Sequence, residues 1–411
     1  MEGPSPSFEG LRINELFLDV LKKHHFTVPT PIQQKAIPVA IAGEDIIGIA
    51  QTGTGKTLAF GVPMLQRMHE GAAKGGALVL IPTRELALQV NEALGKIGAP
   101  LGLRSAVLIG GERIDKQVRQ LRARPHVLVA TPGRLLDVIE QGHTKLNRIS
   151  ILVLDEADRM LDMGFAPQIN RILAMLPKPQ ERQTMLFSAT MPDDIVMIAN
   201  KHMRMPVRVE VAPSGTVAEM VEQEIYIVRK DDKFSLLLHL LQEYPDASVL
   251  LFSRTKHGAR KLTRLLENEG VRAAEIHANR TLAQRIKALE GFKAGTYRVL
   301  VATDIAARGI DVTGIGLVIN YDLPDNAEDY VHRIGRTGRA GREGHAISLA
   351  MPDQRADIRA IERLIRKPLP VTKHAKLSVE LPELPAAEKA RRGMHGGRVR
   401  RFGHRPRFHR R

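Results

Sequence analysis

Four residues first invite chemistry. Lys56 and Thr57 close the stretch AQTGTGKT (Ala50 to Thr57), and Asp155 and Glu156 close the apolar run Ile151-Leu152-Val153-Leu154. The glycine-rich stretch sits between the run Ile46-Ile47-Gly48-Ile49 and a helical pattern beginning near Lys56. A turn of this kind points successive backbone N–H groups and the positive end of a helix at one spot, where phosphates can be held. Lys56 would reach the outer phosphates and Thr57 would hold Mg²⁺ through its hydroxyl. Gln51, Thr52, Gly53, Thr54 and Gly55 make the body of the loop, and Ala50 stands where the strict pattern has glycine. Two carboxylates at a strand end beside such a loop suit nucleoside triphosphate hydrolysis. Asp155 would orient Mg²⁺ and Glu156 would position and deprotonate the attacking water. Singly, the plainer readings are a flexible glycine turn and an acidic helix start that favours the helix dipole; the pair favours hydrolysis.

A phosphoryl-transfer site also needs positive charge where negative charge develops. HRIGRTGR (His332 to Arg339) offers Arg333, Arg336 and Arg339 separated by glycines. If Arg336 and Arg339 reach the outer phosphate from a second domain, hydrolysis requires two domains to close; a solvated basic helix end is the alternative. For base selection, the amide of Gln33 in FTVPTPIQ (Phe26 to Gln33) can bond the N6/N7 edge of adenine, and Phe8 could stack on the ring. Phe8 and Phe26 as ordinary core residues are the bland alternative, preferred for Phe26. The fifteen histidines lack acidic or thiolate company, so no zinc site is expected.

The elements that position these groups are two series of short β-rich runs alternating with helix-period segments. The first comprises Ile46 to Ile49, Ala77 to Ile81, Ser105 to Leu108, His126 to Ala130, Ile151 to Leu154 and Thr184 to Phe187. Each is followed by a polar signature, successively the phosphate loop, PTRELA (Pro82 to Ala87), Gly110-Gly111, TPGR (Thr131 to Arg134), DEAD (Asp155 to Asp158) and SAT (Ser188 to Thr190). Alternation predicts an α/β fold with parallel sheets covered by helices, and ligands then bind beyond the carboxyl ends of the strands. Val207 to Val221 reads as a linker. The second series runs through Ile225 to Val228, Val249 to Phe252, Ala273 to Ile276, Val299 to Ala302, Leu317 to Asn320 and Ala346 to Leu349, without a second phosphate loop. The expected division is an adenine-recognition segment at 1–34, a first domain at 35–210, a linker at 211–220, a second domain at 221–370 and a basic disordered tail at 371–411.

Charge points to the partner. Of the formal net charge of +16, the stretch Ala386 to Arg411 supplies +9, from ten Lys or Arg against one acid. A polyanion is the natural ligand, nucleic acid ahead of membrane, since no basic amphipathic helix stands out. Aromatics are only 4% with no Trp, so base stacking is poorly supplied in the body, although Phe402 and Phe408 lie among the tail arginines. A merely solubilising tail is the alternative. The absence of cysteine excludes disulfides and thiolate sites. With no leader pattern and no membrane-length apolar run, a soluble, cytoplasmic protein is expected.

Taken together these motifs resemble the DEAD-box ATP-dependent RNA helicases of superfamily 2, in particular the short bacterial RhlE-type members, over roughly Phe8 to Lys367. The resemblance implies two tandem RecA-like domains. It implies that Phe8 and Gln33 hold adenine and that Gly53, Gly55, Lys56 and Thr57 bind phosphate and Mg²⁺, with Asp155 and Glu156 completing hydrolysis. Ser188 and Thr190 would couple hydrolysis to opening through Asp158. From the second domain, Asp304 and Gly309 would contact ATP and Arg336 and Arg339 would act as fingers. Pro82, Thr83, Arg84, Gly110, Gly111, Thr131, Gly133, Arg134 and Thr303 would lie against the RNA backbone. Some positions depart from the pattern: His25 and Ala278 replace usual glycines, Leu282 replaces a usual glutamine although Arg285 is retained, and Phe252-Ser253-Arg254-Thr255 is a variant. The expected function is RNA-stimulated ATP hydrolysis, coupled to domain closure and local unwinding of short duplexes. A DNA-directed helicase of the same superfamily and an RNA-binding chaperone or scaffold driven by the tail are the rivals.

Overall fold

The computed structural model describes residues 7–50, 53–211, 221–307, 315–338, 344–374 and 377. After a short 3-10 turn at Phe8–Gly10, helices α1 (Glu15–Lys23) and α2 (Pro31–Ile41) lead into the first sheet. Strand and helix then alternate: β1 (Ile46–Ile49), α3 (Lys56–His69), β2 (Gly76–Leu80), α4 (Arg84–Gly98), β3 (Ser105–Leu108), α5 (Ile114–Arg122), β4 (Val127–Ala130), α6 (Pro132–Glu140) and β5 (Ile149–Leu154). The unit closes with α7 (Ala157–Asp162), α8 (Ala166–Met175), β6 (Gln183–Ser188), α9 (Asp193–His202) and β7 (Val207–Glu210). The second unit repeats the alternation with β8 (Val221–Ile227), α10 (Lys233–Glu243), β9 (Val249–Phe252), α11 (Lys256–Asn268), β10 (Ala273–Ile276), α12 (Leu282–Lys293) and β11 (Val299–Ala302). It ends with α13 (Asp304–Ala307), β12 (Leu317–Asn320), α14 (Ala327–Ile334), β13 (Gly344–Ala350), α15 (Arg355–Ile365) and β14 (Val371–Thr372).

Each unit holds a seven-stranded parallel sheet, ordered β3-β4-β2-β5-β6-β1-β7 in the first and β10-β11-β9-β12-β13-β8-β14 in the second. Counted within its own unit, each strand occupies the same place, so the two sheets share one topology. Strands such as VLVA at β4 and VLLF at β9 are buried at every position, as expected where helices cover both faces. Apolar clusters accordingly form on both sides of each sheet. This order also sorts the signatures: the phosphate loop, SAT and DEAD follow the neighbouring strands β1, β6 and β5, whereas PTRELA, TPGR and Gly110-Gly111 follow β2, β4 and β3.

The structure alters two sequence readings. Val207–Glu210, assigned to a linker, forms strand β7 in register with β1. Its VRVE alternation is a strand signal, and the Val207 N–H bonds the Asp45 carbonyl. The sheet pattern also extends past Pro370 through the two-residue edge strand β14 beside β8. Helix α2 runs through the expected 34/35 boundary, and Phe8, Phe17 and Leu21 share the first unit's apolar cluster, so the N-terminal segment is built into that unit. The tail from Ala386 to Arg411 lies outside the described residues.

Candidate functional site

Gly53 and Gly55 adopt φ of 84° and 91°, left-handed values open to glycine at little cost, and the chain then enters α3 at Lys56. A side chain at 55 would be strained in this left-handed backbone and would push into Gln33. A Cβ there would lie 2.3 Å from Nε2 of Gln33. The Gln33 amide is organised locally: its Oε1 accepts from the Thr30 N–H at 2.9 Å and its Nε2 donates to the Gly55 carbonyl at 3.0 Å. Each polar atom keeps a second hydrogen-bonding position, so the same amide can also meet a base edge. Phe8 packs in the first unit's apolar cluster at 4% exposure. Phe26, preferred as a core residue from sequence, is instead exposed. It follows His25, whose φ of 60° explains why glycine suits that position: His25 closes α1 in a left-handed cap, with its N–H on Lys22 O and the Phe26 N–H on Leu21 O. Gln51 and Thr52 lie outside the described residues, while Ala50 is buried at the end of β1 and Thr57 is partly exposed at the head of α3.

Lys56 is buried, with its Nζ 4.0 Å from Oδ1 of Asp155. Burial pushes Asp155 up to about 6 against the pull of Lys56. Its neighbour goes the other way. Burial raises the Glu156 pKa, but Arg159, Lys56 and Arg336 outweigh it and bring it down to about 2. Glu156 sits at φ 51° as the N-cap of α7 and is ion-paired with the buried Arg159, one turn along DEADR. Arg159 was missed from sequence, although its i,i+3 spacing from Glu156 is a readable signal.

Asp158 binds the SAT turn. Its Oδ2 accepts from the backbone N–H groups of Ala189 (3.0 Å) and Thr190 (2.8 Å) and from the Thr190 hydroxyl (2.9 Å). Its own N–H donates to Oγ of Ser188 at 3.2 Å. Ser188 and Thr190 are thus tied to the acidic strand end by short polar links.

Along the other half of the sheet edge, Thr83 caps α4 with Oγ1 accepting from the Leu86 N–H, and Pro82 precedes it as a buried residue. Arg84 lies against Gly110 and Gly111. At Gly111, φ is 80° and a Cβ would stand 2.1 Å from Nη1 of Arg84. Thr131 heads α6 and bonds the Leu108 carbonyl at 3.4 Å; Arg134 Nη1 donates to the Glu112 carbonyl at 3.1 Å, and no neighbouring atom lies within 4 Å of a Cβ built on Gly133.

The second unit meets the first at these edges. Arg285 of α12 forms a buried ion pair with Glu85 of α4 at 2.5 Å, and burial and the nearby Arg285 lower the pKa of Arg84. Arg336, buried after α14, comes near enough to depress Glu156, and its Nε donates to the His332 carbonyl. Arg333, grouped with the other arginines from sequence, has a different role. It clamps Asp304 with Nε and Nη2 at 2.6 and 2.7 Å, donates from Nη1 to Asn320 and Asp322, and stacks on Phe252. Asp304 is therefore positioned at the start of α13, directly after the buried Thr303. Gly309 and Arg339 lie outside the described residues. Among the described residues no cluster of three His, Asp or Glu side chains forms a metal cage.

The chain resembles known proteins along most of its length. Residues 30–198 match the family profile described as DEAD/DEAH box helicase, and residues 232–341 match the Helicase conserved C-terminal domain. The chain is 43% identical over 367 residues to the ATP-dependent rRNA helicase RRP3 of Debaryomyces hansenii, covering 89% of this chain and 76% of that protein. It is 43% identical over 360 residues to the ATP-dependent RNA helicase CshA of Listeria monocytogenes, covering 88% and 69%. Among solved structures, S. cerevisiae Dbp5 bound to RNA and ADP BeF3 superposes with a TM-score of 0.79 at 32% identity, covering 89% of this chain and 95% of that one.

Proposed function

The chain belongs to the DEAD/DEAH box helicase family, and from that premise we propose a residue-level account of an ATP-driven clamp on RNA. The protein is an ATP-dependent RNA helicase, an RNA-stimulated ATPase. In our reading the loop from Ala50 to Thr57 holds the phosphates, Gln33 and Phe8 hold adenine, and Glu156 orients the attacking water. Arg336 and Arg339 of the second unit meet the charge that develops on the outer phosphate, with Asp304 and Gly309 beside them. The observation that supports this reading is that Arg336 of the second unit is near enough to Glu156 of the first to lower its pKa, as a charge shared across a closed site would be. Thr57 and Asp155 are hard oxygen donors of the kind Mg²⁺ takes, and the raised pKa of Asp155 marks a buried carboxylate short of positive charge. Mg²⁺ held there with the phosphates would neutralise their charge; chelation with EDTA should abolish turnover.

RNA is expected along the other half of the edge. Pro82, Thr83, Arg84, Gly110, Gly111, Thr131, Gly133, Arg134 and Thr303 offer hydroxyls, guanidiniums and close-approach glycines, groups that grip a backbone without reading sequence. Release follows hydrolysis through Asp158, Ser188 and Thr190. The division at 1–34, 35–210, 211–220, 221–370 and 371–411 is retained as functional segments, with the first built structurally into the second. The basic stretch Ala386 to Arg411 adds salt-sensitive RNA affinity. No helix among the described residues is long and apolar enough to cross a membrane, and the cytoplasm is the compartment we propose. Replacing Arg336 with Ala tests the clamp. RNA-stimulated hydrolysis should fall about 1,000-fold or more, with RNA binding in the absence of nucleotide retained; undiminished hydrolysis would refute the assignment.

A further inference from the structure

Helix α12 carries two apolar faces that serve different units. Ala288, Leu289 and Phe292 belong to the core of their own sheet. Leu282 and Ile286 do not: Leu282, only 5% exposed, is a member of the first unit's apolar cluster, which also contains Leu86 of α4, and the half-buried Ile286 packs against that cluster. Their i,i+4 spacing puts them on one stripe, one turn apart, with Arg285 beside Ile286 reaching Glu85. A capping box fixes the start of the helix, Thr281 accepting from the Gln284 N–H at 3.2 Å and Gln284 accepting from the Thr281 N–H at 3.0 Å, so Leu282 is held at a defined place. Leu282 stands where the family pattern usually has glutamine. The departure thus falls on a side chain that is buried by the opposite unit.

We propose that Leu282 and Ile286 form an apolar clasp that closes the second unit onto α4 and so strengthens the coupling between ATP and RNA. Both are positioning residues that act through the contact between the units. Their burial against the first unit exists only while the units are together, so its free energy acts wholly on the closed state. A ligand that requires closure binds more tightly by the same factor, and reciprocity extends the gain to the other ligand. Buried aliphatic contact is not screened by salt, unlike exposed phosphate contacts. The clasp rests on the clamp reading given above.

The test compares the full chain with Leu282→Gln, Leu282→Met and Ile286→Ala. RNA affinity is measured by fluorescence anisotropy, with and without a non-hydrolysable ATP analogue and Mg²⁺, at two salt concentrations. Leu282→Gln should lose about 5- to 30-fold of the analogue-dependent RNA affinity, equally at both salts. Its nucleotide-free RNA affinity and its RNA-independent ATPase should stay at the parent level. Ile286→Ala should lose less in the same way, and Leu282→Met should keep the parent's gain within about twofold. An unchanged gain in both Leu282→Gln and Ile286→Ala, or an equal loss with and without nucleotide, overturns the clasp while leaving the clamp standing. No gain from the analogue in the parent chain overturns the clamp reading itself, and the clasp with it.

Discussion

Asp155 and Glu156 are adjacent buried carboxylates whose surroundings drive them apart, Asp155 up to about 6 and Glu156 down to about 2. Burial raises both, and the charges around them decide the difference: Arg159 pairs directly with Glu156, with Lys56 and Arg336 adding to it, whereas Asp155 has Lys56 at 4.0 Å but is opposed by Glu156 and Asp158. A carboxylate held near 2 is ionised throughout the working range, and it accepts a hydrogen bond from water better than it keeps a proton. Glu156 is therefore suited to orienting the water, with proton transfer completed as the phosphoryl group departs. Glu156→Gln should bind ATP and RNA but lower single-turnover hydrolysis about 100-fold or more; turnover at the parent rate would remove Glu156 from the chemistry. A second residue-scale prediction concerns Gly111. In Gly111→Ala the Cβ would meet the Arg84 guanidinium at 2.1 Å in a left-handed backbone. Displacing one guanidinium from a phosphate should cost about 1.5–3 kcal/mol, roughly tenfold or more in RNA affinity. A binding titration reads this directly, and unchanged affinity would mean that Arg84 is not on the RNA.

At the scale of elements, much was legible because each chemical signature follows a short buried strand, and strand ends are easy to place. Six runs, from Ile46–Ile49 to Leu317–Asn320, coincide with strands to the residue. Strand β7 was hidden because it lies beside Pro213, Ser214 and Gly215, whose linker composition masks the VRVE alternation before them. Partners distant in sequence were also hidden. Nothing local announces that Arg333 clamps Asp304 rather than joining Arg336, or that Arg285 reaches Glu85 across the units. Conversely, the links from Asp158 to Thr190 were expected, and the structure places four short hydrogen bonds between DEAD and SAT. Thr190→Val keeps the shape and removes the hydroxyl bond to Asp158, so unwinding should fall severalfold more than ATP hydrolysis in a paired assay. Equal losses in both would argue against a coupling role.

At the scale of the whole molecule, two sheets of one topology have diverged in chemistry. The first follows β1 with the phosphate loop; at the matching place the second follows β8 with Val228 and Arg229 to Asp232, which contain no glycine. In the proposed clamp one unit holds the nucleotide and the other completes its site, so closure becomes the controlled variable. Global stability has its own pH signature, set away from the site. His345 on β13 lies between Glu222 and Glu224 of β8, at 3.2 and 3.0 Å. The bond to Glu224 raises the His345 pKa above its ordinary 6.5 against the effect of burial, and the His345 bond lowers Glu224 below its ordinary 4.5 despite burial. The histidine's contribution is complete below about 6.5 and is lost as pH rises through the higher folded value, while that of Glu224 is complete above about 4.5 and is lost as pH falls. In urea titrations, the stability advantage of the parent over His345→Gln should therefore shrink from pH 6 to pH 8; an advantage that grows would reverse the assignment. The tail acts at this scale too. Deleting Ala386 to Arg411 should weaken RNA binding and flatten its salt dependence, while ATP-sensitive binding survives.

The central claim is that ATP hydrolysis and RNA binding share one closed state. Steady-state ATP hydrolysis, measured alone, with a short single-stranded RNA and with DNA of the same sequence at two salt concentrations, tests it most directly. The account predicts marked stimulation by RNA and little by DNA at both salts. Equal stimulation by DNA would contradict the choice of RNA, and tight RNA binding with no stimulation would contradict the shared closed state itself.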